Sequence, residues 1–207
     1  VLWNLYKLAN ALYPLIEEAS GLEAILGEYE KKYTEKYNDM MRSKLGLFEK
    51  YQEDVLLIKD LESTLHLTET DMTIFFRSLT NFCPDKVSEG VEAIKEAFYA
   101  PKEVSGVIRN KWDDWFKTYA SRLQLESVSY EERKQRMNLV NPKYVLRNYM
   151  AQLAIEKADK GDYALISELF NLLKNPYKEQ AEHEKWFAKR PDWARHKVGC
   201  SMLSCSS

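Results

Sequence analysis

The sequence predicts an all-α protein, and three observations carry that expectation. Apolar residues recur at three- and four-residue spacings almost throughout the chain. No segment keeps a period-2 alternation long enough to make a strand, and no fixed-period repeat is present. Punctuation is sparse, with 7 Gly and 6 Pro in 207 residues, which leaves room for long helices.

The elements follow in order. Leu2, Leu5, Leu8, Ala9 and Leu12 share a face of a first helix over residues 1–12, which Pro14 should end by removing a donor. Beyond Ser20-Gly21 a long helix presents Leu22, Ile25, Leu26, Tyr29, Tyr33, Tyr37 and Met41 on one face. Glu28, Lys31, Lys32, Glu35 and Lys36 fill most of the other, and Gly46 closes or kinks the run. "FEKYQEDVLLIKDLESTLHL" reads as another helix, with Val55, Ile58 and Leu65 inward. Thr68, three residues before Asp71, suggests a weak capping box for "MTIFFRSL". Residues 85–105 contain "VEAIKEAFYA", a helix followed by a loop. Trp112, Trp115, Phe116 and Tyr119 then form a stripe at helical spacing. Ser129 and Glu132 make an S-x-x-E capping box, Asn141-Pro142 should start a helix that Gly161 ends, and Asp162 should cap the last one.

Composition narrows the function. Hydrophobic residues make up 45% and charged residues 30%, which is globular rather than disordered. Thirty Lys and Arg against 32 Asp and Glu give a net charge of −2, without the basic surplus a general nucleic-acid binder needs. No apolar run reaches the roughly 18 residues of a membrane span. Three cysteines do not make a disulfide framework, so a reducing or mildly redox-active compartment is expected. Val1-Leu2-Trp3-Asn4-Leu5 runs straight into an apolar pattern, as if cut from inside a longer chain.

Motifs are few. No GxxxxGK[ST], DFG or HRD is present to hold a nucleotide. The adjacent acids Glu17-Glu18 and Glu131-Glu132 point about 100° apart on a helix and read as solvated. His183-Glu184 fails as HExxH because position 187 is Phe187, and His66 reads as a packed or surface residue. His196, Cys200 and Cys205, with Cys83, are a poor copy of a zinc site, since C-x4-C lacks the usual spacing. A reversible disulfide or reactive thiol in an exposed tail suits Cys200 and Cys205 better, against incidental cysteines in a frayed end. The tryptophan stripe fits a buried face rather than base stacking. In "NPKYVLRNY" Tyr144, Leu146, Met150 and Leu153 can pack a helix, while Arg147 can pair with a carboxylate from another element, as a structural ion pair rather than a substrate contact.

The blocks "LWNLYKLANAL" with "PLI", "MRSKLGLF", "FFRSL", "NPKYVLRNYMAQLAIEKA" and the terminal "SCSS" together resemble the C-terminal part of the selenoprotein O family. The resemblance implies a protein-kinase-like fold that binds ATP and transfers AMP to protein hydroxyl groups with Mg²⁺ or Mn²⁺. It further implies that the residues holding nucleotide and metal precede this chain, so no catalytic, cofactor-binding or metal residue is assigned within it. Residues 1–180 would be the last part of the kinase-like C-lobe with its helical extension, and 181–207 a polar, aromatic segment with a cysteine tail. Cys205 stands where many animal members carry selenocysteine, but Met202 replaces the usual cysteine three before it, leaving Cys200, Cys83 or a thiol elsewhere as partner. Protein substrates and the N-terminal portion of the same protein would be the partners, with neither nucleic acid nor membrane. The location would be mitochondrial in a eukaryote and cytoplasmic otherwise; the composition leans eukaryotic. Two other readings stand beside this one: a non-catalytic helical interaction module, and a thiol redox element acting through Cys205.

Overall fold

The structure is a computed structural model that describes residues 1–200. Helices dominate, and among the described residues extended pairing is limited to one isolated antiparallel bridge between Thr70 and Phe98. No described helix is long and apolar enough to cross a membrane. The chain forms two compact units, Val1–Arg42 and a larger one beginning at Ser43.

The first unit contains α1 (Leu2–Ile16) and most of α2 (Ser20–Leu45). Pro14 does not end α1 but lies inside its last turn. A proline forfeits one amide bond yet keeps a helical φ, so an established helix continues through it. The stop comes at Glu17, whose backbone is left-handed at φ 57° and donates its N–H to Tyr13 O. On α2 the rings of Tyr29, Tyr33 and Tyr37 stack in a ladder with centroids 6.0 and 6.3 Å apart. None of the residues of α1 is buried.

The second unit is built on α3 (Asp54–Leu65), α4 (Met72–Leu79), the one-turn α5 (Gly90–Ala93), α6 (Gly106–Leu123), α7 (Tyr130–Val140), α8 (Asn148–Ala158) and α9 (Ala164–Leu173). The stripe on α6 is core: Trp112, Phe116 and Tyr119 are fully buried. Trp112 meets Phe75 of α4 at 5.7 Å and Phe98 at 5.6 Å between centroids, and Phe116 meets Phe82 at 4.8 Å. Gly90 permits this packing, because a Cβ there would lie 2.5–2.8 Å from the Phe116 ring. A second cluster gathers Tyr144, Met150, Leu165, Leu169, Leu172 and Cys200.

Several expectations are corrected. Val55 is exposed, because the buried face of α3 runs through Asp54, Leu57, Ile58, Leu61 and Leu65. Asp71 rather than Thr68 caps α4, accepting from Ile74 N at 3.1 Å. "VEAIKEAFYA" breaks into a single α turn and 3-10 turns because its backbone is drawn aside: Ala97 O accepts from Asp71 N at 2.8 Å and Tyr99 N donates to Glu69 O at 3.0 Å. Asn141-Pro142 does not open a helix; α8 starts at Asn148. The Asn141 amide is taken by Lys44, donating to its carbonyl at 2.9 Å, while the N–H groups of Lys143 and Tyr144 bond Pro176 O. Leu146, in that irregular stretch, is exposed. Other signals stand: Gly46 ends α2 at φ 69° and Ser129 accepts from Glu132 N. Asp162 falls one residue short of its expected role: Tyr163 takes the cap position of α9, while Asp162 accepts from Ala164 N.

Candidate functional site

The irregular stretch that replaces the expected helix start delivers Arg147 to Asp71. Asp71 is fixed first, as the cap of α4, with its carboxylate buried. Arg147 then donates Nη1 to Oδ2 at 2.5 Å and Nη2 to Oδ1 at 2.9 Å, a bidentate fork that sets both angle and distance. Tyr99 Oη also reaches Asp71 Oδ2, at 3.4 Å, and accepts from Arg190 N at 3.0 Å. Burial raises the Tyr99 pKa above the usual phenol value, so the hydroxyl keeps its proton and can do both. Arg190 and Arg195 converge on Glu69 at 2.9 Å each.

In the last turn of α4, Arg77 donates Nη1 to the carbonyls of Asn138 and Asn141, at 3.1 and 3.0 Å, and Nη2 to Glu179 at 2.6 Å. Lys143 bridges Glu179 and Glu184 at 2.5 and 2.6 Å. Burial works to lower the Lys143 pKa, but the bonds to Glu179 and Glu184 outweigh it and raise the value. A third buried ion cluster joins Arg122 to Asp54 at 2.6 Å and Glu126 at 2.8 Å, and Glu126 accepts from Phe48 N. Buried charges of this kind are costly alone and tolerable only when paired and hydrogen-bonded. Here each joins distant segments: α4 to the 141–147 stretch and the 176–195 segment, and the α2–α3 connection to the end of α6.

The structural ion pair anticipated for Arg147 is therefore present, with Asp71 as its carboxylate. Sequence reasoning missed Arg77, Lys143, Glu179 and the Asp54–Arg122–Glu126 cluster. One signal was available: Arg77 stands inside the apolar run "MTIFFRSL", where a charge must find a partner. His66 and His196 are exposed, and His183 Nδ1 lies 3.6 Å from Glu168. Among the described residues no group of three or more His, Cys, Asp or Glu side chains is placed to hold a metal ion. Cys200 is not an exposed tail thiol; it is free and buried in the second cluster, while Cys83 is free and half-buried. An ion pair from Lys197 to Glu156 draws that end of the chain onto α8. Cys205 lies outside the described residues.

The first unit offers a different surface. Leu5, Leu8, Leu12, Leu22, Leu26 and Tyr29 line most of an apolar groove of about 570 Å³ within it. Trp3, Tyr6, Tyr13, Leu15 and Ile16 of α1 are exposed as well. Contiguous exposed apolar surface on this scale marks an interaction face.

Buried arginine–carboxylate pairs that clamp the helices of the larger unit, and a first unit with an exposed apolar groove, define an all-α protein. The chain belongs to the family described as protein adenylyltransferase SelO, which it matches over residues 1–174. It is 58% identical over 206 residues to a "Protein nucleotidyltransferase YdiU" of Flavobacterium johnsoniae, covering 99% of this chain and 40% of the relative. Proteins of the same description from Aromatoleum aromaticum and Rhodopirellula baltica are 43% and 44% identical, again over 99% of this chain and about 40% of theirs. The chain thus spans about 40% of the length of these relatives. All three are bacterial, and none supports the mitochondrial location that the resemblance allowed.

Proposed function

We propose that this chain is the helical C-terminal portion of a protein adenylyltransferase, and that it braces an active site built by the rest of the longer protein. The complete enzyme would transfer AMP from ATP to Ser, Thr or Tyr hydroxyls of protein substrates, using Mg²⁺ or Mn²⁺. The observation that carries this reading is the family membership combined with the 40% span. Asp54, Asp71 and Glu179 are committed to arginine and lysine partners, and no step is assigned to them.

The first unit gives the brace its attachment. An uncovered apolar groove and an α1 with no buried residue suit packing against the kinase-like remainder of the same protein. The buried ion pairs keep the second unit rigid, and a rigid support is useful where catalysis rests on positioning. Incubating this chain and the full-length Flavobacterium johnsoniae relative separately with labelled ATP and Mn²⁺ tests the reading. Label should pass to protein only with the full-length enzyme; transfer by this chain alone overturns the placement of the active site.

A further inference from the structure

One cleft of the second unit has no place in that reading. It has a volume of about 380 Å³ and lies between α4, α7 and the segment after Pro176, with Arg77, Lys134, Lys143, Asn138 and Glu179 among its walls. We propose that this cleft is a binding site for a phosphate monoester dianion, held by Arg77, Lys143 and Lys134, and that the Glu179 carboxylate occupies it until the phosphate exchanges in.

The geometry around Glu179 is that of a bound oxyanion. One carboxylate oxygen takes a guanidinium N–H from Arg77 at 2.6 Å and the other takes the Lys143 ammonium at 2.5 Å. The two sides of this contact are unequal. Side chains of Arg77 and Lys143 are only 7% and 8% exposed, whereas Glu179 is 68% exposed. The Arg77 guanidinium is further pinned by two backbone carbonyls and cannot follow a departing partner. Glu179 comes from the irregular stretch between α9 and the 3-10 turn at Ala181, and regains water when it swings out. Losing it outright would strand the buried Arg77 guanidinium, because only Lys143 keeps a second carboxylate, Glu184 at 2.6 Å, so its departure requires another anion in its place.

Lys134 indicates which anion. It lines the same cleft and has no ion pair among the described residues. Three cations thus face a cavity in which the resident carboxylate bridges two of them. A phosphate monoester brings close to two charges and three terminal oxygens, enough to engage all three cations where a carboxylate has only two oxygens. The buried and unpartnered Asn138 Oδ1 is an acceptor, so it can bond a peptide N–H adjoining the phosphate rather than the dianion itself.

Isothermal titration of the whole chain with inorganic phosphate, and with a phosphoserine peptide and its unphosphorylated form, at fixed ionic strength decides the matter. Glu179→Gln should tighten phosphate binding about tenfold and Lys134→Ala should weaken it about tenfold, each corresponding to one charge-assisted contact. Binding of the phosphopeptide but not its unphosphorylated form supports the site; binding of inorganic phosphate with no binding of the phosphopeptide overturns the monoester assignment. No saturable binding by Glu179→Gln, or an affinity that Lys134→Ala leaves unchanged, overturns the site. Should Glu179→Gln not fold, the wild-type and Lys134→Ala titrations decide alone, and absence of saturable binding to wild type then overturns it. Neither outcome depends on where AMP transfer takes place.

Discussion

Arg147 and Asp71, 76 positions apart in sequence, meet through two hydrogen bonds of 2.5 and 2.9 Å. Asp71 is at once the cap of α4 and the counter-ion of Arg147, so one carboxylate sets where a helix begins and what packs beside it. Asp71→Asn separates these roles, because Asn caps as well as Asp but carries no charge. It should destabilise the second unit by about 3 kcal/mol, the cost of stranding a buried charge. Asp71→Ala should cost about 1 kcal/mol more through the lost cap. Urea unfolding of the two variants measures both.

Gly90 is required by a neighbour rather than by its backbone. Its φ of −57° suits any residue, but an added Cβ meets the Phe116 ring at 2.5–2.8 Å. Gly90→Ala should therefore destabilise by about 1–3 kcal/mol, as overpacking does in a filled core. Thermal unfolding of Gly90→Ala provides the check.

Tyr119 makes stability depend on alkaline pH. Burial pushes its phenol up to about 12, against an ordinary value of 10, and Oη donates to Leu45 O at 2.6 Å. The folded state therefore favours the protonated form. Its contribution is complete below pH 10 and is lost as pH rises towards 12. Between those values wild type should lose stability faster than Tyr119→Phe, at up to roughly 1.4 kcal/mol per pH unit. Denaturant midpoints of the two proteins across that range supply the comparison.

The two described thiols should react unequally. Cys200 is 4% exposed in the second cluster, and Cys83 is half-buried. Under native conditions a maleimide should label Cys83 well before Cys200, with both labelled at similar rates in denaturant, as mass spectrometry of digested protein would show.

Much of the fold was legible because burial imposes a period. Trp112, Trp115, Phe116 and Tyr119 announce a helix face facing a core, and that is what they form. What misled was local chemistry outbid by distant contacts. Asn141-Pro142 has the form of a helix start, yet Lys44, 97 residues away, takes its amide. "VEAIKEAFYA" has helical residues, yet its carbonyls and amides are claimed by the strand-like 69–71 segment. The framework was half legible: Arg147 invited a partner, but no spacing rule pairs it with Asp71, or Arg77 with Glu179, because those meetings are made by the fold. The apolar face of α1 was visible as a pattern, and the structure adds that packing within its own unit leaves every residue of α1 short of full burial.

That this segment braces a site built elsewhere in the longer protein is tested most directly by hydrogen exchange of α1, Leu2–Ile16, in this chain alone and within the full-length enzyme. The expected result is rapid exchange in the isolated chain and strong protection when the remainder is attached, as the uncovered face becomes an interior one. Equal exchange in the two proteins would contradict it, since the helix would then have nothing to lean on.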